Sequence, residues 1–386
     1  MAIWNVCLTH HPRYAGLHRA VEDFARACEG PILSFDATAD TLHAISEDRD
    51  HPLHVIGCKA WPPDGPYWLN RGQRDQAELL LQDAAGVIVH SLFRAHCSFV
   101  AEWSRKHRRP FWVVPHGCLD PWGLSQRRWA KHLWLVTAGR RLFRECRGVF
   151  LSTSREAEKA ATWLGSAKQI ITPWPVPKPD LSRKDVLRTA FRESLGIPPH
   201  AVVLLFIGRL HSMKRPRELI EIFRRVVKAE GSDAHLVLIG MDGDMTAAML
   251  QEHAGNPASS HVHLAGPRHG DELTAGMAAA DCYVSLSHRE NFSYAAADAL
   301  AAGLPVILSD GHDIAHDLPL AGQRDGSCGW MTTQTPDRSA EQAIREFLAT
   351  PRRRLEAMGQ TAAQWAEVHL RPELFRSSVE AACAHV

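Results

Sequence analysis

The chain has 386 residues, 45% of them hydrophobic and 23% charged, with a formal net charge of +1. That length exceeds one ordinary domain and falls short of three, so two domains are expected, and the near-zero charge gives no global case for a nucleic-acid partner. Nine cysteines are scattered without a C-x-x-C pair, which argues against a disulfide framework or a zinc module and for a reducing, cytoplasmic setting. No basic segment precedes the apolar start at Ile3, and the longest apolar run, Ala201–Ile207, is far too short to span a bilayer. Neither a secretory leader nor a membrane span is expected.

Ala2–Leu8 reads as a first strand, followed by a loop and then by Leu17, Val21, Phe24 and Cys28 at helical spacing. Short apolar runs recur at Leu53–Ile56, Gly86–Val89, Phe111–Val114 and Gly148–Leu151. Helical patterns lie between several of them, the signature of a parallel sheet with crossover helices. Ile170–Asp180 carries prolines at 173, 175, 177 and 179, which excludes helix and central strand, so this stretch is a stiff linker and the expected domain boundary. The alternation then restarts with strands at Val202–Ile207, His235–Ile239, His261–Leu264, Cys282–Leu286 and Pro305–Leu308. Helices are expected around Arg217–Lys228, Met245–His253, Glu272–Ala279 and Tyr294–Ala301, then at Ser339–Leu348, Arg352–Val368 and Pro372–Ala382.

The stretch Ser287–Asp310 organises the second half. A buried strand delivers an acidic turn at Glu290, a helix carrying Asp298 follows, Gly303 stops it, and Pro305 opens the next strand. Open α/β sheets bind ligands at the carboxyl ends of their strands, and a helix start offers amides and a positive dipole end to an anion. Gly208-Arg209-Leu210-His211-Ser212-Met213-Lys214 follows the most apolar strand of the chain; glycine permits close approach there, and the two cations suit a diphosphate. No G-x-G-x-x-G or G-x-x-x-x-G-K-[ST] is present, which disfavours nicotinamide, flavin and P-loop chemistry. His312 and His316 stand at i, i+4 but lack a zincin glutamate, so both are read as surface residues. Cys118 beside His116 is read as a small cleft residue rather than a nucleophile, for no orienting group is evident. No metal-ligand set and no cofactor is expected.

These motifs together resemble the retaining GT-B glycosyltransferases of family GT4. The resemblance is carried by the G-R-x(4)-K loop, the acidic pair Glu290 and Asp298, Ala301–Ile307, and Gly326 and Gly329 in the second half. In the first half it is carried by His116-Gly117-Cys118-Leu119-Asp120-Pro121-Trp122 and by Ser152-Thr153-Ser154-x-Glu156. It implies an α/β fold of two Rossmann-like domains facing across a cleft: residues 1–174 binding acceptor, 175–369 binding donor, and a closing helix in 370–386 that returns to the first domain. It implies a metal-independent, hexosyltransferase-type enzyme that moves a sugar from a nucleoside-diphosphate sugar to a glycan, a lipid-linked glycan or a small molecule with retention. Carried over, Gly16, Gly208, Arg209, Lys214 and the amides of Asn291, Phe292 and Ser293 would hold the diphosphate. Glu290 and His116 would face the sugar as the catalytic residues, and Asp298 would hold the ribose. Two departures stand out: Asp298 replaces the usual glutamate, and Ala15 replaces one of two paired glycines. A GT-B epimerase or phosphorylase, and a degenerate nucleotide-sugar-binding subunit, are the alternatives.

Between Trp103 and Arg147 many arginines and lysines alternate with Trp112, Trp122, Trp129, Trp134 and Phe143. This is a candidate peripheral surface for an anionic membrane, presenting a lipid-linked acceptor. Single-stranded nucleic acid is the weaker fit, and a solvated helix face over buried aromatics is the plain alternative.

Overall fold

A computed structural model describes residues 2–10, 15–35, 51–57, 68–254, 261–333 and 337–384. The chain divides into two compact units, Met1–Pro175 with Pro372–Val386, and Val176–Arg371.

The first unit is built on a seven-stranded sheet, β1 (Ile3–Cys7), β2 (Ile32–Ser34), β3 (Leu53–Val55), β4 (Gly86–His90), β5 (Phe111–Val114), β6 (Gly148–Leu151) and β7 (Gln169–Ile171). They lie in the order β3-β2-β1-β4-β5-β6-β7, and every pairing is parallel. Every residue of β4, β5 and β6 is buried, which is why they read as unbroken apolar runs rather than as alternating ones. β2 and β7, of three residues each, are the strands of this sheet that the sequence pattern does not show. The closing helix Pro372–Cys383 joins this unit by setting Phe375 edge-on against Phe24, with ring centroids 4.9 Å apart. Phe24 also meets Trp174 edge-on at 5.3 Å. The proline-rich stretch is therefore anchored rather than a solvated spacer: Trp174 and Val176 are buried, and the Val176 amide donates to the Leu370 carbonyl within the second unit at 2.8 Å.

The second unit holds a six-stranded parallel sheet of β8 (Val203–Ile207), β9 (His235–Ile239), β10 (Val262–Gly266), β11 (Cys282–Ser285), β12 (Val306–Ser309) and β13 (Gly329–Thr332), in the order β10-β9-β8-β11-β12-β13. Helix Pro216–Glu230 shows how the local sequence sets its elements. Proline sits at its first turn, Gly231 closes it at φ 60°, and Leu219, Ile220, Phe223 and Val226 form its buried face. Arg192 is buried at the end of helix Lys184–Ser194, where its guanidinium donates to the carbonyls of Ala279 and Ala201 and pairs with Asp281. In each sheet the chain order reverses once, between β1 and β4 and between β8 and β11. Those two reversals are where open α/β sheets leave a crevice at the strand ends.

Candidate functional site

In the second unit the two loops that leave the reversal point are the ones that carry the charged motifs. Gly208–Lys214 leaves β8 and Ser287–Ser293 leaves β11. They are tied together by the His288 amide donating to the Met213 carbonyl at 2.8 Å. Lys214 forms an ion pair with Glu290. Gly208 makes room for this, since a Cβ there would stand 2.9 Å from Lys214 Cδ. Gly240 is needed beside it, because its Cβ would stand 1.8 Å from the Gly208 carbonyl oxygen. Burial opposes the charge on Glu290, but the Lys214 ammonium leads the charges that outweigh it and hold the carboxyl below its usual range. Arg209 is exposed, and among the described residues no acid pairs with it. The two cations of the loop are thus unequal: one is neutralised by Glu290 and the other is available to an incoming anion.

The backbone around Glu290 is fixed from both sides. Its amide donates to the Gly311 carbonyl at 2.8 Å, and its own carbonyl accepts from the Asp313 amide at 2.9 Å. Ser293 adopts a left-handed conformation at φ 59° and starts helix Tyr294–Ala301, whose opening amides lie outside the helical ladder. Phe292 is buried and meets Tyr294 edge-on at 5.2 Å, so its side chain packs while its backbone lines the turn. Asp298 lies one turn into that helix and is partly exposed.

His312 corrects the sequence reading. Expected on the surface, it is fully buried at 0% exposure and stands directly across the backbone from Glu290. The Ser309 hydroxyl donates to the Ser287 carbonyl, so Nδ1 of His312 must bring the hydrogen to Ser309 Oγ, 3.2 Å away. Nε2 then accepts from the Ser285 hydroxyl at 3.0 Å. Burial, with Lys214 adding to it against Glu290, lowers the imidazole to about 4, so it is neutral at pH 7 and braces the turn. His316 is exposed, as expected.

The first unit gathers a second cluster at its own strand ends. Asn5 on β1 accepts from His90 Nε2 at 3.0 Å, which leaves His90 Nδ1 as the acceptor for His116 Nε2 at 2.9 Å. His116 therefore keeps a lone pair on Nδ1, and burial lowers it to about 3. His116 and Gly117 take consecutive left-handed conformations, φ 51° and 70°, an arrangement that needs bracing. Glu156 supplies it: one carboxylate oxygen accepts from the Gly117 amide at 2.8 Å, and the other from the Ser152 amide and hydroxyl at 2.7 and 2.8 Å. Asp120 caps helix Pro121–Ser125 and pairs with Lys159 at 2.8 Å. The two first-half motifs are thus one hydrogen-bonded block. Cys118 is partly buried. Gly16 lies in the first turn of helix Ala15–Cys28, with open space where a Cβ would be. Residues 11–14 lie outside the described residues.

Sequence reasoning did not single out His90, Asn5 or Ser285. Nor did it bring together His10, His18 and Glu22, whose ligating atoms lie within 4.8 Å of one another; the i, i+4 spacing of His18 and Glu22 was the available signal. A cavity of about 400 Å³ lined by Cys97, Arg105, Trp134, Arg141 and Leu142 includes no residue of either cluster.

The sequence pattern of the family described as "Glycosyl transferases group 1" matches residues 188–365, which are most of the second unit. The second unit resembles that family over those residues. Curated relatives include D-inositol 3-phosphate glycosyltransferases of Geodermatophilus obscurus, 31% identical over 45% of this chain and 38% of the relative, and of Nocardia farcinica, 27% identical over 54% and 46%. The matched stretch spans less than half the length of these relatives. Among solved structures, Anabaena HepE in complex with UDP superposes at a TM-score of 0.80 with 15% identity, covering 100% of both chains. Sucrose-phosphate synthase from Thermosynechococcus elongatus superposes at 0.71 with 13% identity, covering 100% of this chain and 99% of the other. At those identities the likeness establishes the fold, which is GT-B.

Proposed function

We propose that the chain is a group 1 glycosyltransferase that moves a sugar from a nucleoside-diphosphate sugar to an acceptor hydroxyl with retention of configuration. The observation that carries this reading is that an exposed Arg209, with no acid paired to it among the described residues, shares the loop at the reversal point of the second sheet with the Lys214–Glu290 ion pair. Arg209 meets the diphosphate, helped by Gly208 and by the backbone of Asn291, Phe292 and Ser293. Asp298 takes the ribose. Glu290 orders the sugar hydroxyls, while Lys214 shifts towards the phosphate as the pair opens. The bond from sugar C1 to the phosphate oxygen breaks with its electron pair going to the diphosphate, and fixed cations stabilise that charge without a metal ion. The acceptor oxygen bonds to C1 from the same face and passes its proton to the departing phosphate. His116, neutral and with Nδ1 free to accept, receives a hydrogen bond from a sugar hydroxyl.

The test is nucleotide release from UDP-, GDP-, ADP- and dTDP-sugars, with UDP-glucose first and inositol phosphates among the acceptors. Release that tracks product formation from one of these donors supports the reading. Binding without release favours a degenerate binding subunit, and interconversion of the free donor favours an epimerase. Nucleotide affinity should be unchanged by EDTA; its loss would refute metal-free diphosphate binding.

The acceptor side bears on location. None of the helices among the described residues is long and apolar enough to cross a membrane. Of the interleaved aromatics, Trp112 and Phe143 are buried, whereas Trp129 is 84% and Trp122 51% exposed, beside exposed Leu133 and Val136. Arg127, Arg128, Arg140 and Arg144 are exposed around them. We read this as a peripheral, cytoplasmic-side membrane surface for a lipid-linked acceptor. Pelleting with anionic but not neutral vesicles, lost in Trp129→Ala/Leu133→Ala, would support it; equal pelleting with both would refute the electrostatic part.

A further inference from the structure

Three metal-ligating side chains meet in the first unit, and no step above uses them. His10 follows β1 by three residues, and His18 and Glu22 share one face of helix Ala15–Cys28 at i, i+4 spacing. Their candidate ligand atoms all lie within 4.8 Å of one another, and His10 Nε2 stands 3.0 Å from Glu22 Oε1. Tetrahedral zinc with bonds of about 2.0–2.1 Å sets its ligand atoms about 3.3 Å apart, so this pair already has nearly that spacing. Small rotations of the half-buried His18 and Glu22 would close the wider separations.

Two further observations favour a metal over a chance cluster. His10 is fully buried, so its imidazole is held in place and cannot swing into solvent. His18 Nδ1 lies 3.1 Å from the His10 carbonyl oxygen. It donates there, which fixes the tautomer and leaves the lone pair on the other ring nitrogen. An outer hydrogen bond of this kind, from ring N–H to a backbone carbonyl, is the usual support of a metal-bound histidine. The donor chemistry selects the ion. Two imidazoles and one carboxylate suit zinc and similar borderline ions, whereas magnesium and calcium favour all-oxygen sets.

We propose that His10, His18 and Glu22 bind a zinc-like divalent cation with a fourth position open to an oxygen ligand. Three protein ligands and one open position are the set found in reactive rather than structural zinc sites. The proposal is independent of the donor site in the second unit, which is given no metal, and metal uptake measures it without any sugar transfer.

The test uses untagged full-length protein, dialysed against zinc and then against metal-free buffer, with bound metal measured by plasma mass spectrometry. About one zinc per chain should be retained and should be lost in both His18→Ala and Glu22→Gln. These positions are chosen because, unlike His10, neither is fully buried, so both variants should keep the parent's melting temperature in metal-free buffer. Zinc should raise the melting temperature of the parent but not of the variants, and cobalt should give the visible absorption of a tetrahedral site in the parent alone. No retained zinc in the parent would overturn the proposal, as would equal retention in parent and variants.

Discussion

Glu156 gives the most demanding test of how the first-half motifs work. In Glu156→Gln the side chain keeps its shape but loses one acceptor. The parent carboxylate accepts from the Gly117 amide on one oxygen and from the Ser152 amide and hydroxyl on the other. An amide can satisfy one of these sides, and its NH2 then faces a backbone N–H on the other. A hydrogen bond to a charged group contributes about 1.5–3 kcal/mol, and a stranded buried donor costs about 1–3 kcal/mol. The expected loss is therefore about 3–4 kcal/mol, a large share of the roughly 5–15 kcal/mol that holds a domain. For a unit of this size each kcal/mol moves the melting temperature by about 2–4 °C, so calorimetry should show a drop of roughly 6–15 °C. Turnover should fall as well at a temperature where the variant is folded, because the left-handed His116–Gly117 turn loses its clamp. A drop below about 2 °C would mean that the carboxylate is not what holds the turn.

Three more outcomes follow from other parts of the chain. Asp281→Asn removes the charge that faces the buried Arg192 (2% exposed) and Arg188; urea unfolding should show a loss of about 2–4 kcal/mol, and an unchanged midpoint would refute the pairing. Burial lowers His96 and His312 to about 4 and His116 to about 3; for His235, burial and then His261 and His263 lower it to about 4. Unfolded histidine titrates near about 6.5, so below that pH the unfolded chain binds more protons than the folded one. Stability should fall as pH drops from about 6.5 towards 4, by at least about 5 °C between pH 7 and pH 5; a flat profile would contradict the burial. Gly208→Ala places a methyl 2.9 Å from Lys214 Cδ, so it should displace Lys214 and lower turnover about tenfold or more, and full activity would show that Lys214 need not lie there.

The sequence revealed the fold wherever burial produced long apolar runs, as in β4–β6 and β8–β12, and it missed the short strands β2, β7 and β13. The Arg209–Lys214 loop and the Glu290 turn were legible because each is a local strand-to-turn pattern. Their unequal charge was not, since Lys214 meets Glu290 across 76 positions. His312 was misread for the same kind of reason. Its partners Ser285 and Ser309 come from two strands, and only their parallel pairing places the ring in the core. The Glu156 clamp spans 39 positions, and nothing in the spacing of the two motifs shows that they are joined.

The central claim is that Arg209 is the cation that meets the departing diphosphate. Its most direct test is kcat/KM for Arg209→Ala with whichever nucleotide sugar the donor panel selects. Because Arg209 is exposed and makes no ion pair among the described residues, its removal should leave the melting temperature unchanged. It should lower kcat/KM about 100- to 1,000-fold, as loss of a preorganised charge-stabilising donor does, with Arg209→Lys recovering part of the rate. A folded Arg209→Ala enzyme within about threefold of the parent would contradict the account.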